Sequence, residues 1–215
     1  METRKFTVEE FQQALQTLDD RLGENPFVVA FAPIRIISPG GFAAISYFKN
    51  RATTEDIDFI IDPEWSRDED IEPYIRKTAK AVGNDLGFGV KWINDDVSLF
   101  VSRDAKKELF EKALAQNIVL WGGQNLTVLA APLEWGLETK LRRLHTKPDH
   151  PKAATDLGDV MVILRLLRDK KGGKLDREQI RTMNTNGFDS LPGFHTMELV
   201  AEEYKKKFGE DIFED

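Results

Sequence analysis

The sequence predicts an α+β protein: an N-terminal part in which helices alternate with strands, followed by a part built from helices alone. Up to about Ala131, amphipathic helical periods alternate with short runs rich in isoleucine, valine and phenylalanine. From Pro132 onward those runs stop and only helical periods remain. The chain has 215 residues, 41% hydrophobic and 31% charged, enough for one good core plus a helical annex. The expected division is an α+β core over 1–131 and a helical C-terminal part over 132–215. No long flexible linker separates them, so the second part is expected to pack on the first.

The elements follow in order. Thr7-Val8-Glu9-Glu10 reads as a capping box, with the Thr7 hydroxyl and the Glu10 carboxylate satisfying free N–H groups of a first helical turn. Val8, Phe11, Leu15, Leu18 and Leu22 then repeat at spacings of three and four, and Asn25-Pro26 ends the helix. Phe27–Phe31 and Ile34–Ile37 read as a buried strand bent at Pro33. A short helix follows the glycine pair to about Lys49, and a strand covers Asp56–Ile61, ended by Asp62-Pro63. A helix is expected over Ile71–Leu86, a strand over Val97–Val101 and a helix over Ala105–Ala115. Ile118–Trp121 and Leu126–Ala130 flank Gly122-Gly123-Gln124-Asn125 as a hairpin. Leu133–Leu144, Ala153–Leu167, Asp176–Met183 and Pro192–Phe208 are the expected C-terminal helices, with Pro132 in a first turn and Asp176 an N-cap. Arg168–Lys174 reads as a solvated loop, and the acidic tail Gly209–Asp215 as frayed.

Charge and composition exclude several classes. A formal net charge of −7 argues against a broad nucleic-acid surface, though it leaves room for a local basic groove. With no cysteine there is no disulfide, thiolate zinc site or cysteine nucleophile, which fits a reducing compartment. Met1–Lys5 runs straight into an amphipathic pattern, and no apolar run reaches the roughly 20 residues of a membrane span. The expected compartment is the cytosol, with no membrane partner. His145, His150 and His195 lack metal-ligand spacing. No Gly-x-Ser-x-Gly elbow and no Walker loop occurs.

The chemistry lies in Pro39-Gly40-Gly41-Phe42-Ala43-Ala44-Ile45 and in Arg51-Ala52-Thr53-Thr54-Glu55-Asp56-Ile57-Asp58-Phe59. Glycine lets backbone approach a ligand closely, and a helix start offers free N–H groups to phosphate. Residues i and i+2 of a strand share a face, about 6.6 Å apart, so Asp56 and Asp58 are able to converge on one hard cation. A solvated pair of acids at a strand edge is the alternative for Asp-x-Asp alone.

Gly40-Gly41-x-Ala43 followed by Arg51-x-Thr53-x₂-Asp56-Ile57-Asp58 resembles the nucleotidyltransferase superfamily, the polymerase-beta-like fold, and within it the minimal branch that includes abortive-infection toxins. The likeness continues more loosely through Lys91–Asp96 and Leu137–Leu167. It implies a small mixed β-sheet flanked by helices, with the helical C-terminal part closing a cleft. It implies Mg²⁺ (or Mn²⁺) on Asp56 and Asp58, and phosphate of a nucleoside triphosphate held by Gly40, Gly41 and Thr54. A lysine and an aspartate on the two helices after the sheet are implied at Lys140 and Asp156. Lys140 would contact the triphosphate, and Asp156 would hold Lys140 or meet the attacking group. On their own residues, Lys140, Arg142 and Arg143 read equally well as a solvated helix face, and Asp156 and Asp159 as helix-start caps.

The implied activity is transfer of a nucleoside monophosphate to a hydroxyl of RNA, protein or a small molecule. A catalytically silent protein that binds nucleotide or a partner is the alternative. Two departures stand out. Gly41 occupies a position where serine is frequent in the superfamily, and the strand expected to carry a third carboxylate, Leu126–Ala130, has none. Asp95, Asp96 and Glu134 are the candidates to replace it.

Overall fold

A computed structural model describes residues 4–185, 187 and 190–214 of the chain. Met1–Thr3 of the N-terminal run and Asp215 of the acidic tail lie outside the described residues. The chain forms two compact units, Met1–Pro132 and Leu133–Asp215. The first is α+β with a small mixed sheet flanked by helices. The second is helical.

Helix α1 (Val8–Leu22) opens on the reciprocal capping box: Glu10 N–H donates to Thr7 Oγ1 at 3.3 Å, and Thr7 N–H to the Glu10 carboxylate at 2.8 Å. Its buried face is Phe11, Ala14, Leu15, Leu18 and Leu22. The next segment departs from the expected strand. Pro26–Ala30 is a short helix, α2, because the Asn25 side chain accepts from the N–H groups of Phe27 and Val28 while Pro26 fills the first helical position. Phe27, Val29 and Phe31 are about half exposed and only Val28 is buried, so no sheet claims the segment.

Strand β1 (Ile34–Ser38) leads to α3 (Gly41–Ala43), which runs on as a π-helical stretch over Ala44–Phe48. The expected single strand over Asp56–Ile61 is two short ones, β2 (Ile57–Asp58) and β3 (Ile60–Ile61), in different sheets. Helix α4 (Ile71–Asp85) and strand β4 (Ile93–Asn94) follow. Asp96–Phe100 is a 3₁₀ helix in place of the expected strand; Leu99 is 82% exposed, so its apolar run does not mark a core strand. Helix α5 (Arg103–Gln116) and strands β5 (Val119–Gly122) and β6 (Leu126–Ala130) complete the unit.

The main sheet has the order β3-β1-β6-β5: β1 is parallel to β6, while β3 and β5 are antiparallel edges. Ile34, Ile36, Leu126 and Val128 share one face with the buried residues of α1 and α4 in a single core. Ile37, Leu129 and Ile60 lie in register on the alternate positions, and α5 packs on β6. Trp92 is buried, its Nε1–H donating to Ala79 C=O at 2.8 Å.

One side chain ties α1 to the hairpin loop. The Asp19 carboxylate, 2% exposed, accepts from the N–H groups of Gln124, Asn125 and Leu126 at 3.0, 2.8 and 2.8 Å. A Cβ on Gly123 would lie 2.3 Å from Asp19 Oδ1, so only glycine fits there.

The second unit comprises α6 (Leu133–Thr146), α7 (Ala153–Lys171), α8 (Arg177–Arg181, capped by Asp176) and α9 (Phe194–Phe208). Two expectations change here. Arg168–Lys171 is the last turn of α7, with Gly172 as its left-handed cap, not a loop. The tail is docked through Glu214: Leu175 N–H donates to Ile212 C=O and Glu214 N–H to Leu175 C=O, both at 2.8 Å, and Ile212 and Phe213 are buried. Burial of those two apolar residues outweighs the acidity that suggested fraying. Among the described residues no helix is long and apolar enough to cross a membrane.

Replacing Asp19 with alanine strands three backbone N–H groups under the hairpin. Urea unfolding of Asp19→Ala is expected to show a loss of about 3 kcal/mol with an unchanged denaturant slope. A loss below about 1 kcal/mol would mean the loop finds other acceptors.

Candidate functional site

In the first unit the loop after β1 is built for close approach. Gly40 has φ 84° and ψ −126°, a conformation that a side chain would strain. Gly41 begins α3, and a Cβ there would lie 2.0 Å from Thr54 Oγ1 and 2.9 Å from Thr54 Cβ. Thr54 is itself fixed: its N–H donates to Phe6 C=O at 3.0 Å, and Phe6 N–H donates to Thr54 C=O at 2.8 Å. A serine at position 41 therefore has no room, and a hydroxyl already stands where its side chain would go.

Two residues beyond Thr54, the Asp56 carboxylate accepts from Asn94 Nδ2 at 3.1 Å. Asp56 precedes β2 and Asp58 lies in it, both half-buried. Ile57, between them, is buried in the core. The Asp58 carbonyl accepts from Ser38 Oγ at 2.7 Å, which fastens β2 to the end of β1. Gly40, Gly41, Thr54, Asp56 and Asp58 thus belong to one connected stretch of the first unit.

Sequence reasoning does not single out Asn94, Ser38 or Lys91 at this site. Asn94 pairs with Asp58 in the parallel β2–β4 ladder, opposite the acid strand. Lys91 is exposed and bonded to Asp96 at 2.8 Å. That hydrogen bond raises its pKa, and the charge of Asp56 adds to the rise. A two-residue parallel ladder leaves no periodic signal, so nothing in the sequence pairs position 94 with position 58.

Each candidate for a third carboxylate has a cation beside it. Asp95 is bound to Arg76, which also binds Glu72. Burial lowers the Arg76 pKa, but hydrogen bonds to the two acids outweigh it and leave the pKa raised. Asp96 is paired with Lys91, and Glu134 lies 3.9 Å from Lys170 within the second unit. Among the described residues no three His, Cys, Asp or Glu side chains are grouped to share a metal ion. Asp56 and Asp58 still offer carboxylate oxygens, the donor type that Mg²⁺ prefers.

Lys140 and Asp156 meet in the second unit. Lys140 is 4% exposed, with Nζ 2.6 Å from Asp159 Oδ2 and 3.4 Å from Asp156 Oδ1. Arg143 grips Asp156 with two bonds, at 2.5 and 2.6 Å. Lys140, Asp156 and Asp159 are buried and Arg143 half-buried, two cations and two carboxylates that join α6 to α7. Beside it, Glu138 accepts from Arg142 at 2.8 Å and from Thr185 N–H and Oγ1 at 2.9 Å each. His145 faces Thr196, 3.2 Å away.

Comparison with protein-family models, with curated proteins and with solved structures yields no match.

Lys140→Met leaves Asp159 buried beside a neutral side chain. Breaking a buried pair in this way typically costs about 3–5 kcal/mol, and that loss is expected in urea unfolding. A loss under about 1 kcal/mol would show that the cluster does not hold Lys140.

Proposed function

We propose that the chain is a Mg²⁺-dependent nucleotidyltransferase, transferring a nucleoside monophosphate from a nucleoside triphosphate to a hydroxyl of RNA, a protein or a small molecule. The observation that carries this reading is the connected stretch of Gly40, Gly41, Thr54, Asp56 and Asp58, with the Thr54 hydroxyl standing within 2.0 Å of the position a residue-41 side chain would take. Gly40 and Gly41 keep that stretch of backbone uncovered, and the Thr54 hydroxyl replaces the serine hydroxyl absent at 41. Asp56 and Asp58 would hold Mg²⁺, which neutralises charge on the triphosphate when bound. Lys91, bonded to Asp96 at 2.8 Å, adds a positive charge whose field reaches Asp56.

The acceptor oxygen attacks the α-phosphorus, a new P–O bond forms, and the bond to pyrophosphate breaks. The acceptor proton leaves to a carboxylate or to water. Lys140 and Asp156 are left out of this chemistry because both are engaged in the buried cluster of the second unit.

Asn94 favours a second reading, a silent nucleotide binder. Its neutral amide donates to the Asp56 carboxylate from the strand that pairs with Asp58, a position where a carboxylate would help hold a catalytic metal and an amide would not.

Label transfer from each of the four α-³²P nucleoside triphosphates, with Mg²⁺ or Mn²⁺, separates the readings. Transfer that falls by about 100-fold or more in Asp58→Asn, as expected for lost electrostatic stabilisation, and more mildly in the near-isosteric Thr54→Val supports the enzyme. Calorimetric nucleotide binding without transfer by the wild-type chain supports the silent binder. Transfer untouched in Asp58→Asn, or no nucleotide binding at all, sinks both.

A further inference from the structure

A cavity lies in the first unit, lined by none of Gly40, Gly41, Thr54, Asp56 or Asp58. Its volume is about 510 Å³, within the range of small-molecule sites. Ile60, Ile61 and Pro63 form an apolar side. Arg67, Arg76, Arg103, Lys106 and Lys107 supply positive charge. Among the described residues, only Glu72, Asp95 and Asp104 stand against these, so five cations face three acids and the wall carries a charge of +2 in a protein of net charge −7.

The arrangement of these charges matters more than their sum. Arg76 takes Glu72 and Asp95 to itself, removing two carboxylates as sources of repulsion for an anion. Among the described residues, Arg67, Arg103 and Lys106 have no side-chain hydrogen bond or ion pair. Unpaired guanidinium and ammonium groups around a concave site are donors waiting for an acceptor, and phosphate suits arginine's forked geometry. Asp104 adds an acceptor at the same rim, suited to a sugar hydroxyl or a base amino group. An apolar side, a cationic side and room for a nucleotide-sized body together define an amphipathic phosphate ester.

We propose that this cavity binds a nucleoside monophosphate, its phosphate on Arg67, Arg103 and Lys106 and its apolar face against Ile60, Ile61 and Pro63. The site is independent of the nucleotidyltransfer reading. It needs no metal ion, since its charge comes from side chains.

Equilibrium dialysis of the full chain against the four ribonucleoside 5′-monophosphates, in EDTA and at low salt, tests it. At least one is expected to bind, more tightly than its nucleoside or inorganic phosphate alone. Arg103→Gln/Lys106→Gln is expected to weaken that binding by about tenfold or more, the scale of lost charged hydrogen bonds. Both side chains are unpaired, so its thermal unfolding midpoint should match the parent chain. Asp56→Asn/Asp58→Asn is expected to bind the monophosphate as well as the parent, whatever it does to label transfer. Equal binding by the Arg103→Gln/Lys106→Gln chain, loss of binding in the Asp56→Asn/Asp58→Asn chain, or no binding by any monophosphate at millimolar concentration overturns the proposal. So does a single-stranded RNA that binds the parent far more tightly than any monophosphate, which would make the cavity part of an RNA surface.

Discussion

Residue 41 has no space for a side chain, and the geometry of the candidate site follows from that constraint. With glycine at 41, the start of α3 closes to contact distance on Thr54, whose hydroxyl lies 2.0 Å from the position of the missing Cβ. Thr54 is pinned from behind by its two hydrogen bonds to Phe6, just before α1. The chain then has only one residue before Asp56 and three before Asp58, so fixing Thr54 fixes both acids. An alanine at 41 would push this assembly apart, and with it the Ser38 bond to the Asp58 carbonyl.

Around that site, polar groups are placed where they secure connections between elements. Asp19 holds the hairpin loop by three backbone N–H groups, which keeps β6 in register with β1 and so sets where β1 ends. In the second unit the Lys140–Asp159 and Arg143–Asp156 pairs join two helices through a neutral cluster. Such buried pairs contribute little net stability when intact but are costly to break. They define a single packing of α6 on α7 more than they add to its strength.

Much of this fold is legible in the sequence where one local signal dominates. The capping box of α1, the hairpin around Gly122–Asn125 and the long helices α4 to α7 carry their own periodicity or turn chemistry. Legibility fails where apolar runs are short. Phe27–Phe31 has strand composition, yet Asn25 and Pro26 start a helix there, and Phe27, Val29 and Phe31 face outward. Leu99 and Phe100 mislead for the same reason. The Asp56–Ile61 run conceals a handover between two sheets at Phe59, whose N–H donates to Asn94 C=O. At the site, the glycines and the two aspartates are visible from spacing alone. Asn94, Ser38 and Lys91 are not, because their relevance comes from pairings 20 to 38 residues apart. Nor is the Thr54 hydroxyl's position against Gly41, which depends on a backbone contact that no residue pattern encodes.

We propose that Asp56, Asp58 and the Gly40–Gly41 turn act together on a metal–nucleotide complex. Paramagnetic Mn²⁺ added with a non-hydrolysable nucleoside triphosphate to ¹⁵N-labelled protein tests it directly. Strong broadening is expected at the amides of Gly40, Gly41 and residues 54–58, and its loss in Asp56→Asn/Asp58→Asn. Broadening confined to the exposed acids of other elements, with Gly40 and Gly41 untouched, would contradict a shared metal–nucleotide site.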